Sequence, residues 1–312
     1  MNRSSDLSLH RFRSPRFWPT WLLLAFLQLT ARCPPRVQVS IGAGIGWILR
    51  KLDRREVAIA RRNFEICFPE LGAPEREALL ARHFRSVGLS IVEMGIGWFC
   101  PIEKLRRRVT INGIEHLKAA LAQGHGALLL TAHFTPIEVG VGILEDFPGP
   151  VNSLYRPQRN PMMDCLILRG RRRFSRAQIP RDNVRLLIRL LKSNEAVLYM
   201  PDQTYLGNQS AMIPFFGEPA MTNIATTKIA KISGAPLLTY WFRRDENDLT
   251  YTVDIGPPLA NFPTDDPIAD TKRLVALLEE RIRATPEQYL WVYKKFKRRP
   301  EEYGDAYLDA SA

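Results

Sequence analysis

The stretch Ala127–Gly140, ALLLTAHFTPIEVG, constrains this chain more than any other. Its continuous apolar run follows the turn signal Gly124-His125-Gly126 and reads as a buried strand of an α/β sheet. Thr135, Pro136 and Glu138 then have the form of a helix N-terminus, with threonine as N-cap, proline at the first helical position and glutamate at the third. Open α/β sheets bind ligands outside the carboxyl ends of their strands, and this junction delivers His133 there. A histidine beside a carboxylate that can fix its tautomer is a candidate general base. Two readings of Glu138 stand side by side: partner of the imidazole, or a capping glutamate bonded back to its own helix end. A structural role for His133 is likewise open.

With 312 residues, 46% of them hydrophobic, the chain can bury a full core, and one main domain is expected. The net charge of +12 calls for an anionic partner: nucleic acid, an anionic membrane surface, or a phosphorylated or acidic substrate. Cys33, Cys67, Cys100 and Cys165 are widely spread with no CxxC pair, so neither a disulfide framework nor a zinc cage is indicated, and a reducing compartment fits.

Before residue 17 the sequence carries Arg3, Arg11, Arg13 and Arg16 against Asp6; an apolar run, Phe17 to Leu29, follows. Extended through Arg32 and Arg36 to Leu49, it exceeds the roughly 20 residues that span a bilayer. No small-residue cleavage site follows cleanly. Arg50, Lys51, Arg54 and Arg55, with Trp18, Trp21 and Trp47 at interfacial positions, suit an uncleaved N-terminal membrane-anchoring helix near anionic headgroups. The expected organisation is a basic segment and anchor (1–50), a catalytic domain (51–300) and a tail (301–312).

Beyond the anchor, Arg54–Phe64 reads as a basic helix. A longer helix opens at Ala73, with Leu80, Phe84, Val87, Ile91, Met94 and Trp98 at helical spacing. A helix over Ile114–Leu121, strands at Val151–Leu154, Ala196–Met200, Pro236–Phe242 and Leu249–Ile255, and helices over Pro161–Arg173, Asn183–Lys192 and Thr222–Ile232 continue the alternation. It argues an α/β fold with a mixed, mostly parallel sheet flanked by helices. Strand exits collect the remaining polar candidates. Arg156 follows one strand; Asn160 reads equally as an N-cap or a substrate contact. Asp164 could bridge locally or orient an arginine. Arg169 and Arg171 belong to a run that is either a solvated face or a bidentate phosphate grip. Asp202 and Gln203 leave a third strand, where Asp202 could also close an Asx-turn.

No GxSxG elbow, HExxH pair, GxGxxG or GxxxxGK[ST] occurs, which removes the usual signatures of serine hydrolases, zinc hydrolases and nucleotide cradles. A histidine and a glutamate without a protein nucleophile suit direct acyl transfer, with a base activating a substrate hydroxyl. The H-x4-E spacing of His133 and Glu138 resembles the H-x4-D/E signature of glycerolipid acyltransferases. Around it, Arg61–Glu70, Tyr155–Pro161, Arg169–Arg171, Tyr199–Gln203, Pro214–Gly217, Pro286–Trp291 and the basic Lys294–Arg299 are similar to the bacterial late acyltransferases of lipid A biosynthesis, the lauroyl/myristoyl transferases. The resemblance covers roughly residues 16 to 300. Pro201-Asp202-Gln203 stands where glycerol-phosphate acyltransferases carry an FPEG-type block, which counts against a glycerolipid acceptor.

That resemblance implies an inner-membrane enzyme with its active site facing the cytoplasm. It would take an acyl chain from acyl carrier protein and esterify the hydroxyl of a hydroxyacyl chain on a Kdo-bearing lipid A precursor, with no metal or bound cofactor. His133 would be the general base and Glu138 its orienting partner; Arg156, Arg169 and Arg171 would hold phosphate or the thioester oxygen, and Asp202 and Gln203 would shape the acceptor site together with Asn160 and Asp164. A lysophospholipid or another glycolipid is the alternative acceptor. Non-enzymatic readings are a membrane scaffold and a nucleic-acid-binding protein; the latter rests on Arg171–Arg173 and has no accompanying binding motif.

Overall fold

A computed structural model describes residues 8–143, 147–173, 175 and 177–308; Arg3, Asp6 and the last residues of the 301–312 tail lie outside them. Helices come first: α1 (Trp18–Thr30), α2 (Pro35–Leu52), α3 (Arg54–Cys67), α4 (Ala73–Phe99) and the short α5 (Ile102–Arg106). Alternation then sets in with β1 (Val109–Asn112), α6 (Ile114–Ala122), β2 (Ala127–Leu130), α7 (Ile137–Gly142), β3 (Val151–Tyr155), α8 (Pro161–Arg171), β4 (Gln178–Pro180), α9 (Val184–Lys192) and β5 (Ala196–Tyr199). It closes with β6 (Ser210–Phe215), β7 (Glu218–Asn223), α10 (Ala225–Ser233), β8 (Leu237–Arg244), β9 (Tyr251–Pro258) and α11 (Pro267–Ala284).

The main sheet has the order β1-β9-β8-β2-β5-β3-β4. Its pairs are parallel except β8 with β9, so the mixed, mostly parallel sheet expected from the alternation is observed. β2 lies at its centre with every residue buried, which is why its sequence is continuously apolar rather than alternating. Leu129 packs into the same cluster as Leu238, Tyr240 and Val92, whereas Leu128 and Leu130 join Val197 and Leu187 in another cluster.

Two expectations change. The predicted helix over Thr222–Ile232 begins only at Ala225, because Thr222 belongs to β7 of a separate antiparallel hairpin. Phe216 and Gly217 turn that hairpin, both with positive φ (51° and 81°), the geometry of a type I′ turn. The N-terminal anchor also resolves differently. Residues 17–49 form two helices, and among the described residues no helix is long and apolar enough to cross a membrane. Pro34-Pro35 divides the apolar run, leaving α1 with 13 residues and α2 with Arg36, Arg50 and Lys51, and α2 is moreover packed against the domain through its glycines. Gly42 and Gly46 are buried against α4, where a Cβ on Gly88 would collide with the Gly42 carbonyl and the Gly46 backbone. α2 is thus a packed helix of the domain, its small-residue stripe letting two backbones meet.

At the carboxyl end of β8 lies a fully buried ion pair. Arg244 Nη1 of β8 donates to Glu93 Oε2 of α4 at 2.6 Å, and both side chains are shielded from solvent. Arg244 Nη2 also donates to the Ser86 hydroxyl, whose oxygen lies 2.6 Å from Thr135 Oγ1. The loop that follows β2 is tied to this network.

Candidate active site

β2 and β5 are parallel neighbours, with Leu130 opposite Tyr199. His133 and Asp202 each lie three residues beyond those strand ends (133 − 130 and 202 − 199), so the register delivers them side by side. His133 Nδ1 is 2.7 Å from Asp202 Oδ1, and the His133 backbone amide donates to Oδ2 at 3.1 Å. With Nδ1 held against the carboxylate, Nε2 is the nitrogen left for chemistry. The imidazole keeps 30% of its surface exposed while the Asp202 side chain keeps 3%, so the base can be reached and its partner is buried.

A C-terminal stretch completes the arrangement. Tyr289 OH donates to Asp202 Oδ2 at 3.1 Å, and Lys295 Nζ donates to the Asp202 backbone carbonyl at 2.6 Å. Leu290 N donates to the His133 carbonyl at 2.9 Å, and Thr135 N to the Gln288 carbonyl at 2.7 Å, so residues 288–290 pair with the His133 loop as a short antiparallel bridge.

The charges follow from these contacts. Burial disfavours the imidazolium of His133, but the Asp202 carboxylate and its hydrogen bond outweigh burial and lift the histidine above its ordinary pKa; Arg171 and Lys295 oppose that lift. For Asp202, burial pushes upward, and the facing imidazole reverses the balance and holds the carboxyl below its usual range. Lys295, buried, is lowered to about 8.

Glu138 is not where the sequence placed it. α7 begins at Ile137 with Pro136 as its cap, and Thr135, expected to cap, sends its hydroxyl to Ser86 instead. Glu138 faces α4 and α8. Its carboxylate accepts from Trp98 Nε1 at 3.1 Å and from Arg171 through Nε at 3.2 Å and Nη2, a bidentate pair. The expectation that Glu138 orients the imidazole is therefore corrected: Asp202 does. Chain proximity pointed to Glu138, but strand register decided the contact.

The remaining candidates divide. Arg171 joins the site through Glu138 and stands close enough for its charge to act on His133. Gln203 is half-buried beside Asp202. Asn160 caps α8, accepting from Met162 N at 3.0 Å and Met163 N at 3.3 Å, while its amide donates to Thr20 of α1 at 2.9 Å. Asp164 accepts from Gln158 N at 2.8 Å and so shapes the loop after β3. Arg156 and Arg169 are exposed, and Arg169 lines a cleft of about 720 Å³ between α1, α4 and α8 that Trp98, Trp21 and Leu166 also wall. Three residues escaped the site prediction: Trp98, spaced like a packing residue, and Tyr289 and Lys295, which lie in segments that carry the resemblance but had no assigned role. Among the described residues no cluster of three or more His, Cys, Asp or Glu side chains is arranged to hold a metal ion.

Chemically, this is a reachable imidazole with one nitrogen fixed by a buried carboxylate, at the carboxyl end of a central strand. In its neutral form it can take a proton from a hydroxyl, and the carboxylate stabilises the cation that results.

Comparisons with known proteins identify the family. Residues 8–298 match the family model described as bacterial lipid A biosynthesis acyltransferase. The lipid A biosynthesis palmitoleoyltransferase of Escherichia coli (strain K12) is 36% identical over 301 residues, 95% of this chain and 97% of its own. The lauroyltransferase of the same organism is 35% identical over 92% of this chain and 94% of its own. A lipid A biosynthesis acyltransferase of Haemophilus influenzae is 32% identical over 93% and 94%.

Proposed function

The chain belongs to the bacterial lipid A biosynthesis acyltransferase family, and from that premise we propose that it moves a lauroyl or myristoyl chain from acyl carrier protein to the hydroxyl of a hydroxyacyl chain on a Kdo-bearing lipid A precursor. The acyltransferase activity and the lipid A precursor as acceptor follow from the family; the donor, the chain and the position are the proposal. One observation carries the mechanism: His133 with Nδ1 locked on Asp202 and its ring still open to solvent.

In the proposed reaction the Nε2 of neutral His133 takes the hydroxyl proton as that oxygen bonds to the thioester carbonyl carbon. Asp202 stabilises the imidazolium. The tetrahedral intermediate then collapses, the carbon–sulfur bond breaks, and the departing thiolate recovers the proton from Nε2, leaving an ester and a free carrier thiol. Arg171, positioned by Glu138, supplies positive charge near the oxyanion. Arg156 and Arg169 meet the acceptor's phosphates, and Gln203, Asn160 and Asp164 shape the loops around it.

For localisation we propose peripheral attachment to the cytoplasmic face of the inner membrane. Trp18, Leu22, Leu29, Trp47 and Leu52 of α1 and α2 are exposed, Leu22 at 72% and Leu52 at 76%, with Arg36, Arg50 and Lys51 on α2 and Arg16 and Arg32 flanking α1. Apolar side chains interspersed with arginines suit helices lying in the headgroup region.

Mass spectrometry of lipid A from cells with and without the protein tests the proposal. The expected result is loss of one laurate or myristate from lipid A in the deficient cells, restored by the wild type but not by His133→Ala. An unchanged lipid A accompanied by altered phospholipids would transfer the activity to another acceptor.

A further inference from the structure

The C-terminal residues that converge on His133 and Asp202 form a single unit. Between Gln288 and Lys295 the chain bonds to both partners: to the His133 loop through the Thr135 N–Gln288 O and Leu290 N–His133 O hydrogen bonds, and to Asp202 through Tyr289 OH and Lys295 Nζ. Lys295 is the unusual member. Its side chain is buried, with the residue only 3% exposed, and its ammonium lies 4.8 Å from the centroid of the Phe215 ring. Among the described residues it forms no salt bridge with a carboxylate. A buried ammonium is costly unless it is paired or hydrogen-bonded, and this one is spent on a backbone carbonyl. Lys295 and Asp202 together line a cavity of about 30 Å³, with Thr222, Thr226 and Thr271 among its walls.

We infer that Lys295 is a positioning residue for the acyl-transfer reaction: with Tyr289 it fixes the Asp202 loop, and its charge sets how strongly Asp202 holds a proton on His133. The inference rests on the reading of His133 as the base. The charged and titratable groups facing the pair come from several elements. Asp202 from the β5 exit, Cys67 from α3 and Glu279 from α11 favour the charged form of Lys295; Arg171 from α8 and Lys295 itself disfavour the imidazolium of His133. Removing the ammonium therefore leaves Asp202 with less competition. His133 then keeps its proton to a higher pH, and less of the neutral base is present at neutrality.

The test uses Lys295→Met, Lys295→Arg and Tyr289→Phe in the full chain, each first compared with wild type by melting temperature. His133 is followed by NMR titration of its ring, assigned by difference from His133→Ala, and acyl transfer from acyl carrier protein to the lipid A precursor is measured across pH. Expected are a titration midpoint moved to higher pH in Lys295→Met, a kcat reduced roughly tenfold with little change in KM, and recovery of the midpoint in Lys295→Arg. Tyr289→Phe, which deletes one hydroxyl, shifts the midpoint the same way and serves where Lys295→Met does not fold. A His133 midpoint that stays at the wild-type value in both Lys295→Met and Tyr289→Phe overturns the inference. A wild type that titrates as described but transfers no acyl group overturns the reaction reading instead, while the NMR result still decides the positioning.

Discussion

At the scale of residues, the two members of the H-x4-E pair do different work. His133 faces Asp202, and Glu138 faces Arg171 and Trp98. His133→Ala should cut acyl transfer by at least about a hundredfold, the usual scale for lost general-base chemistry, as single-turnover rates on a folded variant will show. Because Asp202 lifts the His133 pKa, the neutral base appears only as pH rises past the ordinary histidine value of about 6.5, so the acid limb of kcat/KM lies above it. The sign extends to stability: the His133 cation favours the folded state fully at low pH, and that increment is lost as pH climbs through the raised value. Asp202→Asn removes the cause, so the limb should move to lower pH while the rate falls about a hundredfold or more; an unmoved limb would remove Asp202 from the mechanism. Glu138→Gln instead releases the Arg171 charge and is expected to shift the limb less than Asp202→Asn does. The sequence made His133 legible because an apolar strand ended there. It hid the partner because contact between two strand exits depends on register, and register is a property of pairing, invisible in either strand alone.

At the scale of elements, α4 organises the packing on one side of the sheet. Gly88 lets α2 approach it, and a leucine there overpacks the crossing; about 1–3 kcal/mol of stability is expected to be lost, read from denaturant unfolding. Arg244→Met leaves Glu93 buried without its cation and should cost more, about 3–5 kcal/mol by the same measurement. The alternation of strands and helices was readable because the central strands β2 and β5 are buried along their whole length and therefore continuously apolar. The β6–β7 hairpin was not, since Phe216-Gly217 uses a left-handed phenylalanine where turn chemistry favours asparagine or aspartate. The N-terminal anchor was read from hydropathy, which records apolar character but not which small residues, like Gly42 and Gly46, are consumed by a neighbouring helix; among the described residues no helix is long and apolar enough to cross a membrane.

At the scale of the whole molecule, the +12 charge and the exposed apolar face of α1 and α2 act together. The protein should sediment with vesicles containing anionic phospholipid, bind neutral vesicles less, and lose binding as ionic strength rises. Leu22→Asp with Leu52→Asp should weaken attachment without moving the His133 titration, and undiminished vesicle binding would take that face out of the account. One consequence concerns how the enzyme is made. Lys295 reaches back 93 residues to Asp202, and Tyr289 reaches back 87. A ribosome therefore finishes both loops of the base pair long before it supplies the groups that fasten them. The growing chain carries an unfastened histidine throughout that interval, and the His133–Asp202 pair is held as in the folded protein only once residues 289–295 have been made.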